Sequence, residues 1–363
     1  MAGFGQLLAG VVSHSLLAII TIQHYFARVM FSVARANSRW FFPFLAVAAV
    51  AGIGVTAAPL QVGPPPAIRL VDAGNPLWQP FYVDPVSASM GAHNANPENA
   101  QLTAIATTPQ AYWLDQAFPA GSVGGRVASY AGAAAAAGSM PVFTLYGIPH
   151  RDCGSYASGG FASGADYRQW IDSISSGLGG SPAALIVEPD ALDMADCLSG
   201  DQRQERFDLI RYAVDTLTSD PAAAVYVDGG HSRWLSAEEI AARLNQVDVG
   251  RARGFSLNVS NFFTTDEEVG YGEAVSGLTN GAHYVIDTSR NGAGPAGDSA
   301  ANWCNPSGRA LGAPPTTAAA GAHDDAYLWV KRPGESDGSC NGGAQAGHFV
   351  SQYAIDLAQN AGQ

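Results

Sequence analysis

Positive charge is what this chain of 363 residues has least of: 17 arginines and a single lysine, Lys331, stand against 31 Asp and Glu. Three of the arginines, Arg28, Arg35 and Arg39, fall in the first 60 residues, which hold no acid. The remainder therefore carries a net charge of −16, from 15 basic and 31 acidic side chains. So acidic a surface excludes a polyanion such as nucleic acid as partner. Cysteine is scarce as well. The four present, Cys153, Cys197, Cys304 and Cys340, are far apart and have none of the close Cys/His spacings of a structural zinc site, so no metal is expected. Disulfides are the better reading, with four buried reduced thiols as the alternative. Of the three pairings possible, Cys153–Cys197 with Cys304–Cys340 is the most economical, each closing a loop of moderate length in an oxidising compartment. Missing too are a His-Glu-x-x-His pair and, outside the N-terminal segment, a Walker-type phosphate loop, and no serine reads as a nucleophile elbow.

What is abundant is apolar: 47% of residues are hydrophobic and only 13% charged, enough for one large core. An apolar stretch from Phe41 to Ala58, preceded by arginines, ends in small residues before Pro59, the pattern of a signal-peptide cleavage site. A second stretch, Leu7 to Ile22, and the length of the first leave an uncleaved anchor open. Residues 1–60 are thus a signal peptide or signal anchor, and the protein is secreted or held on the outer face of the cytoplasmic membrane. Residues 61–73, with Pro64-Pro65-Pro66, form a stiff linker, and 74–363 the folded domain.

In that domain seven short apolar runs recur: Phe81–Val83, Val142–Leu145, Leu185–Val187, Val225–Val227, Phe255–Leu257, Tyr284–Ile286 and Leu328–Val330. Helical spacing fills the intervals, as in Phe207/Ile210/Val214/Leu217 and Ile240/Leu244/Val247. Strand–helix alternation implies an α/β fold with a parallel sheet, and the count a distorted parallel β/α barrel, with a doubly wound open sheet as runner-up. The C-terminal strand ends tip the choice. Asp84, Tyr146, Glu188 with Asp190, Asp228, Asn258, Asp287 and Lys331 all sit there, on the face where barrels build active sites. Capping of the following helices is the competing explanation for any one of them.

Two carboxyl groups across a scissile bond, one protonated and one ionised, are what glycoside hydrolysis requires. Asp190 follows Pro189, and Asp152 would be brought beside it if Cys153 pairs with Cys197. Two close carboxylates cannot both ionise easily, so one would have the raised pKa of a general acid. Asp337, after the last strand, is the third candidate, with a plain turn as its alternative. Trp234 and Trp303 follow the fourth and sixth strands, where flat indole faces could stack on sugar rings.

At these residues the sequence resembles glycoside hydrolase family 6, the inverting cellulases, and is similar to its bacterial secreted endoglucanases over about residues 74–360. The resemblance rests on Tyr146-Gly147-Ile148-Pro149-His150-Arg151-Asp152-Cys153, Ile186-Val187-Glu188-Pro189-Asp190, Asp228-Gly229-Gly230-His231, Asp287-Thr288-Ser289-Arg290-Asn291-Gly292, Trp303-Cys304-Asn305-Pro306 and Lys331 through Asp337. It implies Asp190 as general acid, Asp152 keeping it protonated, and Tyr146 pressing the reacting sugar out of its chair. Asp337 is the implied base, or water is activated through a second water near Asp152 and Ser158. Lys331 and Glu335 are implied on the non-reducing side. Asp228, His231, Trp234 and Asn258 also bind substrate, the first three on the leaving side, and Trp303 stacks. No cofactor is implied, and the partner is a β-1,4-glucan met by a monomer.

Against the fungal exo-acting members, Ala237 replaces a stacking tryptophan three residues past Trp234, and few residues separate Cys340 from the last helical segment near His348. The cleft should be open, giving an inverting endo-β-1,4-glucanase. An exo-acting cellobiohydrolase and a non-catalytic glycan-binding surface protein are the alternatives. The distal aromatic is expected from Trp78, Phe81 or Tyr82.

Overall fold

The computed structural model describes residues 74–297 and 302–362. The expected leader, 1–60, and linker, 61–73, lie outside the described residues.

Seven strands form one all-parallel sheet in sequential order: β1 (Tyr112–Leu114), β2 (Val142–Leu145), β3 (Ala183–Val187), β4 (Ala223–Asp228), β5 (Gly254–Leu257), β6 (His283–Asp287) and β7 (Asp324–Leu328). Helices α1 (Ala88–Ala95) and α2 (Ala100–Ala106) precede β1. Then α3 (Ala120–Ala136), α4 (Gly164–Leu178), α5 (Gly200–Leu217), α6 (Ala237–Gln246) and α7 (Thr265–Leu278) connect successive strands up to β6, and α8 (Ser351–Asn360) ends the chain. Ladders run from β1 to β7. Across the remaining seam Ala111 N donates to Trp329 O at 2.9 Å and the Trp113 indole to Val330 O at 2.8 Å. The sheet is therefore a curled, incompletely closed barrel.

Alternation along each strand sorts side chains into two cores. Ala184, Ile186, Ala224, Tyr226, Val285, Ala326 and Leu328 point inward and fill the barrel with Phe81, Met140 and Val330. Leu185, Val187, Val225, Val227 and Ile286 point outward onto the helices. On α4, Tyr167, Trp170, Ile171, Ile174 and Leu178 recur every three or four residues and are all buried, the stripe a helix needs to dock on a sheet. Helices α3 and α4 touch through glycine: a Cβ on Gly177 would come within 2.4 Å of Gly124 O, so a side chain there would force them apart.

Two expected strands are misplaced. Phe81 makes only an isolated bridge to Met140, and the first strand is Tyr112–Leu114. Pro80 and Pro85, which lack amide donors, bracket the Phe81 run, and its pairing stops at Tyr82 N to Met140 O and Met140 N to Pro80 O. Asp84 is therefore not at a strand end, and it accepts from Val86 N in a local turn. The last strand is Asp324–Leu328, so Trp329 and Val330 lie past its end. The competing reading of the strand-end acids as helix caps also fails: Ser163, Ser199, Ser236 and Thr264 cap α4 to α7.

Candidate active site

Three carboxylates at the strand ends stitch neighbouring loops together. Glu188, just past β3, accepts Gly147 N with both oxygens and Ile148 N with one, each at 3.0 Å, and so fixes the loop after β2. Asp228, ending β4, accepts Asp190 N at 2.9 Å, Gly230 N at 3.1 Å and Ser256 Oγ at 2.8 Å. Asp287, ending β6, accepts Ser260 N, Ser289 N, Val330 N and Lys331 N, holding the loops after β5 and β7. All three are buried. Burial pushes Glu188 up to about 7 even against its amide donors.

Above these clamps lies a cleft of about 1150 Å³ lined by Tyr146, Asp152, Ser158, Asp190, Lys331 and Asp337, among others. Asp190 faces the cleft with its backbone in the left-handed region at φ 68°, pinned through its amide to Asp228. Burial first, then the negative neighbours Asp228 and Asp152, push its carboxyl well above the usual carboxylate range, while Lys331 partly opposes them. Asp152 is also raised by burial, although its carboxylate accepts Ala157 N at 2.6 Å. Its loop is held at Cys153 by the disulfide to Cys197, and the second disulfide joins Cys304 to Cys340, the pairing expected. The Arg151 guanidinium lies 4.3 Å from the Tyr146 ring centre and donates to Tyr146 O at 2.6 Å, so that ring is braced from below.

Asp337 occupies a different electrostatic position. One oxygen pairs with Arg290 Nη1 at 2.9 Å and accepts Asn305 N at 3.0 Å, and the other lies 3.3 Å from Nζ of Lys331, the sole lysine of the chain. Burial alone would raise its pKa, but Arg290 and Lys331 outweigh it and hold the carboxyl below the usual range. Glu335 is raised by burial and is paired with Arg332 at 2.9 Å.

The domain matches glycosyl hydrolases family 6 over residues 74–361. The chain belongs to that family. Endoglucanase A of Cellulomonas fimi is 45% identical over 284 residues, which are 77% of this chain and 61% of that protein, so the chain spans less than two thirds of that relative's length. The solved structure of endoglucanase Cel6 from Mycobacterium tuberculosis, in complex with methyl-cellobiosyl-4-deoxy-4-thio-β-D-cellobioside, is 80% identical, with a TM-score of 0.79 over 80% of this chain and 100% of that one. The core domain of cellobiohydrolase Cel6A from Chaetomium thermophilum is 27% identical, with a TM-score of 0.68 over 80% of this chain and 99% of that one.

Against the expectations that family 6 membership carries, the structure makes several corrections. Asp228 and Asn258 are buried and do not line the cleft. Asn258 spends its side chain on Phe263 N, Phe263 O and Asp287 O, and Asp228 engages the three donors above, so both are turned to neighbouring loops. The distal aromatic is not Trp78, Phe81 or Tyr82. Trp113 lines the cleft instead, with its ring 5.3 Å from Tyr146. His231, Trp234, Trp303, Lys331 and Glu335 do line it. Burial lowers His231 to about 4, so its ring is neutral. It stacks on Phe263 at 4.3 Å and lies 5.3 Å from Trp234. Gly334 to Gly338 spells Gly-x-Ser-x-Gly, yet Ser336 is buried and its hydroxyl is engaged with Asn305, Gly338 O and Ala344 O, without a histidine. It is no nucleophile elbow. Sequence reasoning missed Glu188 as a loop clamp although its motif was in view, and missed Trp113 because β1 was missed.

Proposed function

We propose that this family 6 hydrolase is an exported, inverting endo-β-1,4-glucanase, with Asp190 as proton donor. The observation that carries the reading is a carboxyl facing the cleft beside two other acids, in surroundings that push its pKa well above the usual carboxylate range. A general acid needs that state to protonate the leaving glycosidic oxygen. Asp152 adds negative charge beside it and orders water. Tyr146 presses on the reacting sugar from a position set by Glu188 and Arg151.

Asp337 is a poor base, because both oxygens are in ion pairs and a depressed pKa means weak proton affinity. Its environment favours the other route, with the attacking water activated through a second water near Asp152 and Ser158, while Asp337 holds Lys331 against the substrate. Lys331 and Glu335 then bind the non-reducing side, His231 and Trp234 the leaving side, and Trp303 stacks.

Endo action is supported by the segment after Cys340. Its hydrogen bonds run to Ser336, Cys304 and Asn305 on its own wall: Gly347 N to Ser336 O, Ser336 Oγ to Ala344 O, Asn341 Nδ2 to Cys304 O and Asn305 Nδ2 to Cys340 O. Residues 1–60 are the export leader, 61–73 a linker, and the working form is a monomer acting on a β-1,4-glucan. The test is viscosity of carboxymethyl cellulose against reducing ends released, with the anomer of the new end followed by NMR. Rapid viscosity loss with α product is expected. Cellobiose release at nearly constant viscosity would replace endo with exo action, and β product would refute inversion.

A further inference from the structure

Exposed aromatic surface is costly in water, and it is sparse here. Among the described residues three large aromatic side chains are exposed, Tyr156 at 52%, Trp303 at 40% and Trp234 at 36%, and all three line the same cleft. Trp234 and Trp303 already have sugar-stacking roles in the reading above. Tyr156 has none, and neither capping, packing nor a hydrogen bond of its hydroxyl accounts for it.

Its position is built rather than accidental. Cys153, three residues before it, is disulfide-bonded to Cys197. Ala157, the next residue, is held at both backbone ends, its N donating to Asp152 Oδ2 at 2.6 Å and its O accepting Arg151 Nε at 2.9 Å. Tyr156 also meets the loop braced by the other disulfide: its ring centre is 6.1 Å from that of Trp303 at 54°, and a Cβ on Gly338 would come within 2.5 Å of its own Cβ. Two inclined rings, both largely open to the cleft, make an apolar corner. A pyranose presents axial C–H groups on one face and hydroxyls at its rim, so a corner of aromatic faces buries the former and leaves the latter wet.

Resting on the glucan-cleaving reading, we propose that Tyr156 is a sugar-binding, specificity-determining residue that completes the Trp303 subsite and sets how tightly that end of the cleft holds a glucosyl unit. The contact is read without hydrolysis by titration calorimetry of cellohexaose into Asp190→Asn and into Asp190→Asn/Tyr156→Ala. Loss of the ring should weaken binding about tenfold, the equivalent of about 1.4 kcal/mol, and Asp190→Asn/Tyr156→Phe should restore it. In the active protein Tyr156→Ala should raise KM for cellohexaose by a similar factor, with kcat and thermal midpoint little changed because the side chain is exposed. Equal affinity of the two variants for cellohexaose would overturn the assignment, and so would failure of the Phe variant to restore binding. Wild-type protein that binds cellohexaose through Tyr156 but cleaves nothing would instead remove the hydrolase reading and leave this one standing.

Discussion

Asp228→Asn isolates the charge beside the acid from the geometry around it. Asparagine is isosteric with Asp228, its Oδ1 can still accept Asp190 N and Gly230 N, and its Nδ2 can donate to Ser256 Oγ, whose hydroxyl rotates to accept. The loop should stay in place while the negative charge that Asp228 carries above about pH 7, the value to which burial raises it, disappears. That charge is the second cause, after burial, of the raised Asp190 pKa. For two unit charges taken to be about 6 Å apart at an effective dielectric of about 20, Coulomb's law gives about 2.8 kcal/mol, or about a hundredfold in a proton-binding constant. Sharing of protons between the two acids reduces this, so proton affinity at Asp190 should fall by about ten- to a hundredfold. The sign follows from the role: the acid works protonated, so lowering its pKa moves the alkaline limb of kcat/KM to lower pH. The assay is kcat/KM on a soluble cello-oligosaccharide from pH 4 to 9. Activity on the acidic plateau should stay within about threefold of wild type, and fall about 10- to 100-fold relative to it beyond the shifted limb. An unmoved limb in a folded protein would refute the electrostatic argument, and a uniform loss at every pH would show that only the positioning of the Asp190 amide matters.

Asp190→Asn should lower kcat on unactivated glucan by at least about a thousandfold with cellohexaose binding retained, since an amide cannot donate the proton; turnover near wild type would sink the assignment. Glu188→Gln should cost about 2 to 3 kcal/mol in denaturant unfolding, because an NH₂ group then faces the Gly147 amide. That loss should depend on pH. The folded pKa of about 7 lies above the unfolded value, so this group's contribution is full below about pH 4.5 and is lost as pH rises through 7. Glu188→Gln should therefore be relatively more destabilised at pH 5 than at pH 8, and an equal loss at both would contradict the buried-acid argument. Replacing Cys153 and Cys197 by alanine should cost up to about 4 kcal/mol from the 44-residue separation that they close, and should lower kcat through the Asp152 loop; unchanged activity and thermal midpoint would count against that coupling.

Much of this was legible because it is local. Asp190 and Asp152 stand in motifs with their proline and cysteine beside them, and the disulfide pairing followed from loop length. What escaped is set by contacts remote in sequence. Strand β7 begins with two acids and reads as a loop, yet Asp325 is neutralised by Arg253 and accepts the Tyr226 hydroxyl, 72 and 99 residues away. Conversely, Phe81, Trp329 and Val330 are buried apolar residues, and burial alone does not produce a ladder. The same limit misassigned Asp228 and Asn258. Composition shows a polar residue at a strand end, but not whether it points into the cleft or along the sheet into a neighbouring loop.

That ambiguity has a physical root in how the strand ends are built. Asp152, Glu188, Asp190, Asn258 and Ser260 all hold left-handed backbone, with φ between 53° and 68°. Each such residue costs on the order of 1 kcal/mol when it is not glycine. The conformation turns the chain sharply at the sheet edge and aims the Asp190 carboxyl at the cleft, and it persists only if something over-determines it. The clamps supply that constraint. Glu188, Asp228 and Asp287 together bind backbone amides from the loops after β2, β3, β4, β5, β6 and β7, and Asp228 holds the strained Asp190 itself. Above about pH 7, where Glu188 and Asp228 are ionised, carboxylates suit the task because charge-assisted bonds to amides are stronger than neutral ones. Of the three, Asp228 also places negative charge beside Asp190 and raises its pKa. The acid that holds the Asp190 amide and the acid that would perform the chemistry are therefore one electrostatic unit, and a change at Asp228 should reach the proton on Asp190.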